Sequence, residues 1–193
     1  MEAMKITESE RWLLSFYRVS EINGAQFFGR LAKNMKDKKI QYDLTKHFAD
    51  ESQHAWLWTK CLGDLNMDPI NVMESYQDQY VAAVGLPTNM MEVLAITQVF
   101  ERRVIGQYGV HRGLKDINPY VAATLDLIME DEKWHIEWIT QSLKEMETKF
   151  TKEVVISTLK KYHEADQAVY EKTLKEHGEH LKELMDKKAF KAW

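Results

Sequence analysis

The sequence contains the motif Asp-Glu-x-x-His twice, as DESQH at residues 50–54 and as DEKWH at residues 131–135. In a helix the Glu and the His of this motif lie on one face, because positions i and i+3 are neighbours on the helix surface. A carboxylate and an imidazole held side by side are suitable ligands for a transition-metal ion. Both motifs interrupt a stripe of apolar residues that would otherwise face the core. We therefore expect both Glu-His pairs to point inward and to bind metal.

Two further carboxylates stand alone in apolar helical segments. Glu21 is the only acidic residue in 11–36, and Glu101 is the only acidic residue in 93–115. Each lies on a predicted core-facing stripe near the middle of its helix. The sequence therefore predicts two more inward-facing carboxylates.

The spacing suggests that these residues meet at one level. Glu21 precedes Glu51 by 30 residues and Glu101 precedes Glu132 by 31, which places each pair at a similar height within a helical hairpin. Four ionised carboxylates in an apolar interior require a compensating positive charge, because removing each of them from water costs several kcal/mol. Two divalent cations would cancel the charge, and mixed oxygen and imidazole ligands suit iron or manganese. Buried ion pairs are the alternative, but the nearby arginines lie off the inner stripes.

Five helical patterns must position these residues, and the fold class predicted is all-α. The predicted helices cover about 8–35, 38–63, 90–113, 119–147 and 152–185. Short links join the first two helices and the next two, whereas about 24 residues separate the hairpins. Such a link can cross the length of a bundle. We expect a single domain over 1–193, with the bundle at 8–147 and a fifth, C-terminal helix.

With these six residues, the segment 8–147 resembles the ferritin-like di-iron carboxylate superfamily of rubrerythrins, bacterioferritins and di-iron oxygenases. The resemblance implies a four-helix bundle whose metal ligands are Glu21, Glu51, His54, Glu101, Glu132 and His135. Glu51 and Glu132 would bridge the two metals. Asp50 and Asp131 would each hydrogen-bond a ligating histidine. The expected cofactor is a pair of iron ions, with manganese as an alternative.

The chain also departs from particular members of that superfamily. Ser52 occupies the position of a haem-binding methionine, so no haem is expected. Val104 occupies the position of an additional glutamate in rubrerythrins, and Cys61 is the only cysteine, so there is no rubredoxin-type iron site. A separate electron donor protein is therefore expected.

The function that these features favour is a di-iron oxidoreductase that activates O2 or peroxide, with a small-molecule substrate left open. Gly24, Ala25 and Ala55 are small residues beside the ligands and would leave room for that substrate. Tyr17 and Tyr108 lie on ligand-bearing stripes, where either packing or a redox role is consistent with the sequence. A ferroxidase that stores iron is the alternative function, and a non-catalytic bundle is disfavoured by the inward polar residues.

Composition limits the partners. The net charge of -4 gives no basic footprint for nucleic acid. No apolar run approaches the roughly 18 residues of a membrane span, and no secretory signal is visible, so a cytoplasmic protein is expected. The C-terminal helix could pack on the bundle or form a homodimer interface.

Overall fold

The computed structural model describes residues 6–185, and within them all regular structure is helical. The all-α prediction is therefore confirmed. The six helices are α1 (Glu8–Asn34), α2 (Lys38–Asp64), α3 (Tyr76–Val84), α4 (Met90–Arg112), α5 (Pro119–Phe150) and α6 (Lys152–Met185). Residues 1–5 and 186–193, which the predicted domain includes, lie outside the described part of the chain.

Capping side chains fix where the four bundle helices begin. Thr7 accepts a hydrogen bond from the Glu10 amide at the start of α1, and Asp37 accepts from two amides at the start of α2. Asn89 and Asn118 cap α4 and α5 in the same way. These contacts satisfy amides that have no partner inside the helix. The helix boundaries therefore follow the predicted ones closely.

The long link between the hairpins contains a helix that the sequence analysis missed. Ser75 and Asp78 form a reciprocal capping box at the start of α3. The helix is short, with nine residues, and its buried Tyr76 and Tyr80 attach it to the rest of the protein. Ser75 and Asp78 are a local start signal in the sequence, but a helix this short is stable only with its tertiary contacts.

The C-terminal helix packs on the bundle. Val155, Tyr162 and Val169 are buried against it. Asp166 forms a buried ion pair with Arg103 of α4 and accepts a 2.7 Å hydrogen bond from the Tyr76 hydroxyl. This network joins α3, α4 and α6.

The core of the bundle lies between the two hairpins α1–α2 and α4–α5. Leu14, Leu44, Leu94 and Leu125 supply one fully buried leucine from each of these helices. Within the described residues, no helix is both long enough and apolar enough to cross a membrane. The interior between the two hairpins also contains buried polar side chains from these four helices.

Candidate metal centre

The structure brings the six predicted ligand residues together inside the bundle. Glu21 comes from α1, Glu51 and His54 from α2, Glu101 from α4, and Glu132 and His135 from α5. All six side chains belong to residues no more than 5% exposed. The interior thus holds four carboxylates and two imidazoles from four helices.

Their ligand atoms form two groups, each with all its atoms within 4.8 Å of one another. One group consists of Glu21, Glu51, His54 and Glu132, and the other of His47, Glu51, Glu101 and His135. Glu51 belongs to both. Each group is large enough to hold one metal ion, so the arrangement offers two adjacent sites.

Glu132 also lies between the two groups. Its Oε1 is 3.4 Å from His54 Nδ1, and its Oε2 is 3.1 Å from His135 Nδ1. One oxygen therefore faces each histidine. Glu51 and Glu132 are the two carboxylates for which the resemblance implied a bridging role, and their placement is consistent with that role.

The aspartate of each motif contacts the histidine of the other motif. Asp131 Oδ2 lies 3.3 Å from His54 Nε2, and Asp50 Oδ2 lies 3.2 Å from His135 Nε2. These contacts place a proton on Nε2 of both histidines, so Nδ1 is the nitrogen that faces the carboxylates. A carboxylate that accepts the outer N–H of a histidine orients the ring and raises its basicity as a metal ligand. The pairing runs between α2 and α5, so it also joins the two hairpins.

His47 is a further polar residue at the centre, and it was not among the predicted ligands. It is fully buried, and its Nε2 lies 3.1 Å from Glu101 Oε1 and 3.3 Å from Glu51 Oε1. Its ring stacks on that of His135 with centroids 3.7 Å apart. The available signal was its position four residues before Glu51, on the same helix face.

A hydrogen bond from Trp138 determines which proton His47 carries. Trp138 Nε1 donates to His47 Nδ1 at 3.3 Å. A neutral imidazole that accepts at Nδ1 has its proton on Nε2. Burial and the nearby His135 lower the pKa of His47 to about 4, which keeps it neutral near pH 7. We therefore assign the proton to Nε2, which faces Glu51 and Glu101 but, like His54 Nδ1, makes no hydrogen bond within the described residues. In this tautomer Nε2 has no lone pair to offer a metal, so the ligands of the second group are Glu51, Glu101 and His135.

The metal-free centre is electrostatically strained. Burial, followed by the neighbouring carboxylates, raises the pKa of Glu51 well above its usual range. Burial and the charge of Glu101 raise the pKa of Glu132 to about 8. Burial opposes the charged form of His135, but Glu132 and Asp50 outweigh it and raise its pKa to about 10. Protons thus take the role of cations when no metal is bound.

The residues present fit a pair of metal ions. His54 Nδ1 and Glu132 Oε1 are buried and have no hydrogen-bond partner within the described residues, although they face one another. A Cβ at position 24 would lie 2.2 Å from Glu51 Oε2, so only glycine leaves this carboxylate its place. Oxygen and imidazole donors suit iron or manganese. Two divalent cations would balance four carboxylates.

Tyr108 contacts the centre directly, whereas Tyr17 lies behind it. The Tyr108 hydroxyl donates a short hydrogen bond to Glu21 Oε1 and accepts one from Trp58 Nε1 at 3.3 Å. Tyr17 packs edge-on against the Tyr108 ring with centroids 4.8 Å apart. Its buried hydroxyl has no hydrogen-bond partner in the described part of the chain. Tyr108 therefore orients a carboxylate of the centre, and Tyr17 supports Tyr108.

A cavity of about 270 Å³ opens beside the centre. The carboxylates Glu21, Glu51, Glu101 and Glu132 form part of its wall. Much of the remaining wall is apolar and includes Phe16, Phe27, Phe28, Ile96, Phe100 and Val104. Residues of α3 complete it, so the helix missed in the link encloses this space. An apolar group bound here would lie against the candidate metal site.

The fold and this site define a helical bundle with a candidate two-metal carboxylate centre. Residues 19–185 match the family described as fatty acid desaturase, and the chain belongs to that family. Neither the curated proteins nor the solved structures contain a significant match. Membership implies an oxidoreductase, and the family is di-iron dependent.

The family match corrects the resemblance drawn from the motifs. The chain was identified with the ferritin-like di-iron carboxylate superfamily, and that assignment is wrong because the matching family is the fatty acid desaturase family. Both families use di-iron chemistry. The six-residue pattern reflects the requirements of that chemistry, so it identifies the kind of centre without distinguishing the families that share it.

Proposed function

We propose that this protein is a di-iron, O2-dependent oxidoreductase that acts on a fatty acyl chain. The observation that carries the proposal is the cavity whose wall includes both apolar residues and the four carboxylates of the centre. An acyl chain in this cavity would place a C–H bond beside the metal site while burying its apolar surface. The family description supports the same substrate class.

The residues of the chain have separable roles in this proposal. The six residues named above would hold two iron ions, which supply the capacity to reduce O2 when bound. Asp50 and Asp131 orient the histidines, and Tyr108 orients Glu21. The aromatic wall holds the acyl chain and excludes water, which strengthens the electrostatic interactions inside the cavity.

The electron balance requires an external reductant. Removing two hydrogens from an acyl chain releases two electrons, whereas reducing O2 to two waters consumes four. Cys61, the only cysteine, is buried in the core, so the chain carries no cysteine-ligated iron site of its own to store electrons. We therefore propose a separate electron donor protein as the partner.

A single-turnover experiment tests this function. Protein loaded with Fe(II) is mixed with O2 and a set of saturated acyl substrates, and the products are analysed by mass spectrometry. The expected result is an acyl chain that has lost two hydrogens or gained oxygen. Glu101→Ala is the matched control, because it removes one carboxylate of the centre and should abolish the product. O2 consumption with unchanged substrate, and with far more than two irons held per chain, would instead indicate an iron store.

A further inference from the structure

A second recess lies between α4, α5 and α6, which we call the α4–α5–α6 groove. It measures about 710 Å³, and none of its described lining residues also lines the cavity beside the metal centre. Its floor is apolar and is formed by Val99, Leu143, Val155 and Leu159. The volume lies within the roughly 300–1,000 Å³ typical of small-molecule sites.

The rim of the groove is basic. Arg102, Lys144, Lys152 and Lys160 line it, and Glu147 is the only acidic residue among the lining side chains that the structure describes. Lys160 lies 3.8 Å from Glu164, whereas the other three cations have no ion-pair partner within the described side chains. The whole chain has a net charge of -4, so this local excess of positive charge is not a consequence of composition.

A buried amide in the groove lacks a partner. Gln98 is only 5% exposed, and its Oε1 accepts a hydrogen bond of 3.2 Å from Thr140. Its Nε2 has no hydrogen-bond partner within the described residues. A buried donor without an acceptor is costly, and most such groups in proteins are paired. An acceptor atom delivered by a ligand would satisfy it.

We propose that the α4–α5–α6 groove binds an amphipathic carboxylate, with its chain along the apolar floor. A carboxylate oxygen accepts from Gln98 Nε2, and the basic rim neutralises the charge. The recessed position of Gln98 favours a narrow ligand over the surface of a docked protein. This site is separate from the metal centre and does not depend on the function proposed for it.

Binding of decanoate to the metal-free chain of 193 residues tests the proposal. The cavity beside the metal centre could also take this ligand, so a photoreactive fatty acid identifies the location by peptide mapping. We expect calorimetry to show that decanoate binds at least tenfold more weakly to Gln98→Leu, and to the double variant Lys144→Glu/Lys152→Glu, than to the unaltered protein. Labelling of residues 140–163 should fall in parallel. Lys38→Glu, an exposed charge reversal outside the groove on α2, should change neither result.

A neutral analogue separates the contribution of the charge. Decanol should bind the groove at least tenfold more weakly than decanoate. Equal binding of the two, labelling confined to residues of the cavity beside the metal centre, or unchanged decanoate affinity in the lysine double variant would each overturn the proposal. The proposal would also be overturned if the lysine double variant lost its affinity for an acidic protein but still bound decanoate. The lysines are exposed, so this variant keeps the test valid if Gln98→Leu fails to fold.

Discussion

Gly24→Ala separates metal binding from protein stability. The new Cβ would lie 2.2 Å from Glu51 Oε2 and 3.1 Å from its Cδ, whereas ordinary contact begins at 3.4 Å. The oxygen must therefore retreat by the difference between 3.4 and 2.2 Å, about 1.2 Å. Ligand distances in metal sites are held within about 0.2 Å of their ideal values. The displaced carboxylate belongs to both ligand groups, so both sites are affected.

The expected effects of Gly24→Ala on the stability of the metal-free protein and on its metal affinity have opposite signs. Alanine inside a helix is more favourable than glycine by roughly 0.5–1 kcal/mol, which offsets part or all of the cost of moving Glu51 in the metal-free protein. Loss of a well-oriented carboxylate should weaken metal binding by at least the roughly 10- to 100-fold seen for changes around a ligand. That corresponds to about 1.4–2.7 kcal/mol.

Thermal unfolding with and without metal, combined with Co(II) titration followed by absorbance, measures both effects. We expect Gly24→Ala to keep the melting temperature of the metal-free protein and to lose most of the stabilisation by metal. Gly109→Ala is the matched control, since its nearest neighbour outside the local helix would lie 4.0 Å from the new Cβ. Unchanged Co(II) affinity in Gly24→Ala would refute the assigned place of Glu51 in the centre.

Three further predictions follow from the centre and its support. His47→Gln should still hold two metals per chain with a shifted absorption spectrum, because the tautomer assigned from the Trp138 contact leaves His47 Nε2 protonated and without a lone pair for metal. Metal affinity should fall as the pH decreases from about 8 to about 6, because raised pKa values leave protons on Glu132 and His135 that metal must displace. Calorimetry in two buffers of different ionisation enthalpy measures this proton release. Asp166→Ala should lower the free energy of unfolding in urea by about 3–5 kcal/mol, since it removes the buried carboxylate partner of Arg103.

Each of these predictions has an opposing result. Loss of one metal in His47→Gln would make that residue a ligand. Metal binding without proton release would contradict the raised pKa values. A cost below about 1 kcal/mol for Asp166→Ala would mean that the Arg103 pair does not secure α6.

The sequence reveals features that depend on one helix at a time. Glu21 and Glu101 stand out because each interrupts an apolar stripe. Such a stripe can be recognised from residue spacing alone, because apolar residues on one helix face recur with the helical period. Caps such as Asn118 followed by Pro119 mark helix ends for the same reason. The all-α fold and the inward placement of the six residues therefore follow from local patterns.

Features that depend on contacts between helices were missed or left open. Helix α3 is nine residues long and relies on Tyr76 and Tyr80 contacts with α6. The role of His47 requires Trp138, which is 91 residues away. The cross-pairing of each motif aspartate with the other histidine requires the relative height of α2 and α5. Each of these contacts joins residues from different helices, so residue spacing within one segment does not reveal it.

The central claim is that residues from four helices hold two metal ions, and metal content tests it most directly. Metal-free protein is loaded with Fe(II) without oxygen, desalted, and analysed for iron per chain beside Glu51→Ala. We predict two irons per chain in the unaltered protein and fewer than one in the variant, because Glu51 belongs to both ligand groups. No bound iron in the unaltered protein, or two in the variant, would contradict the account.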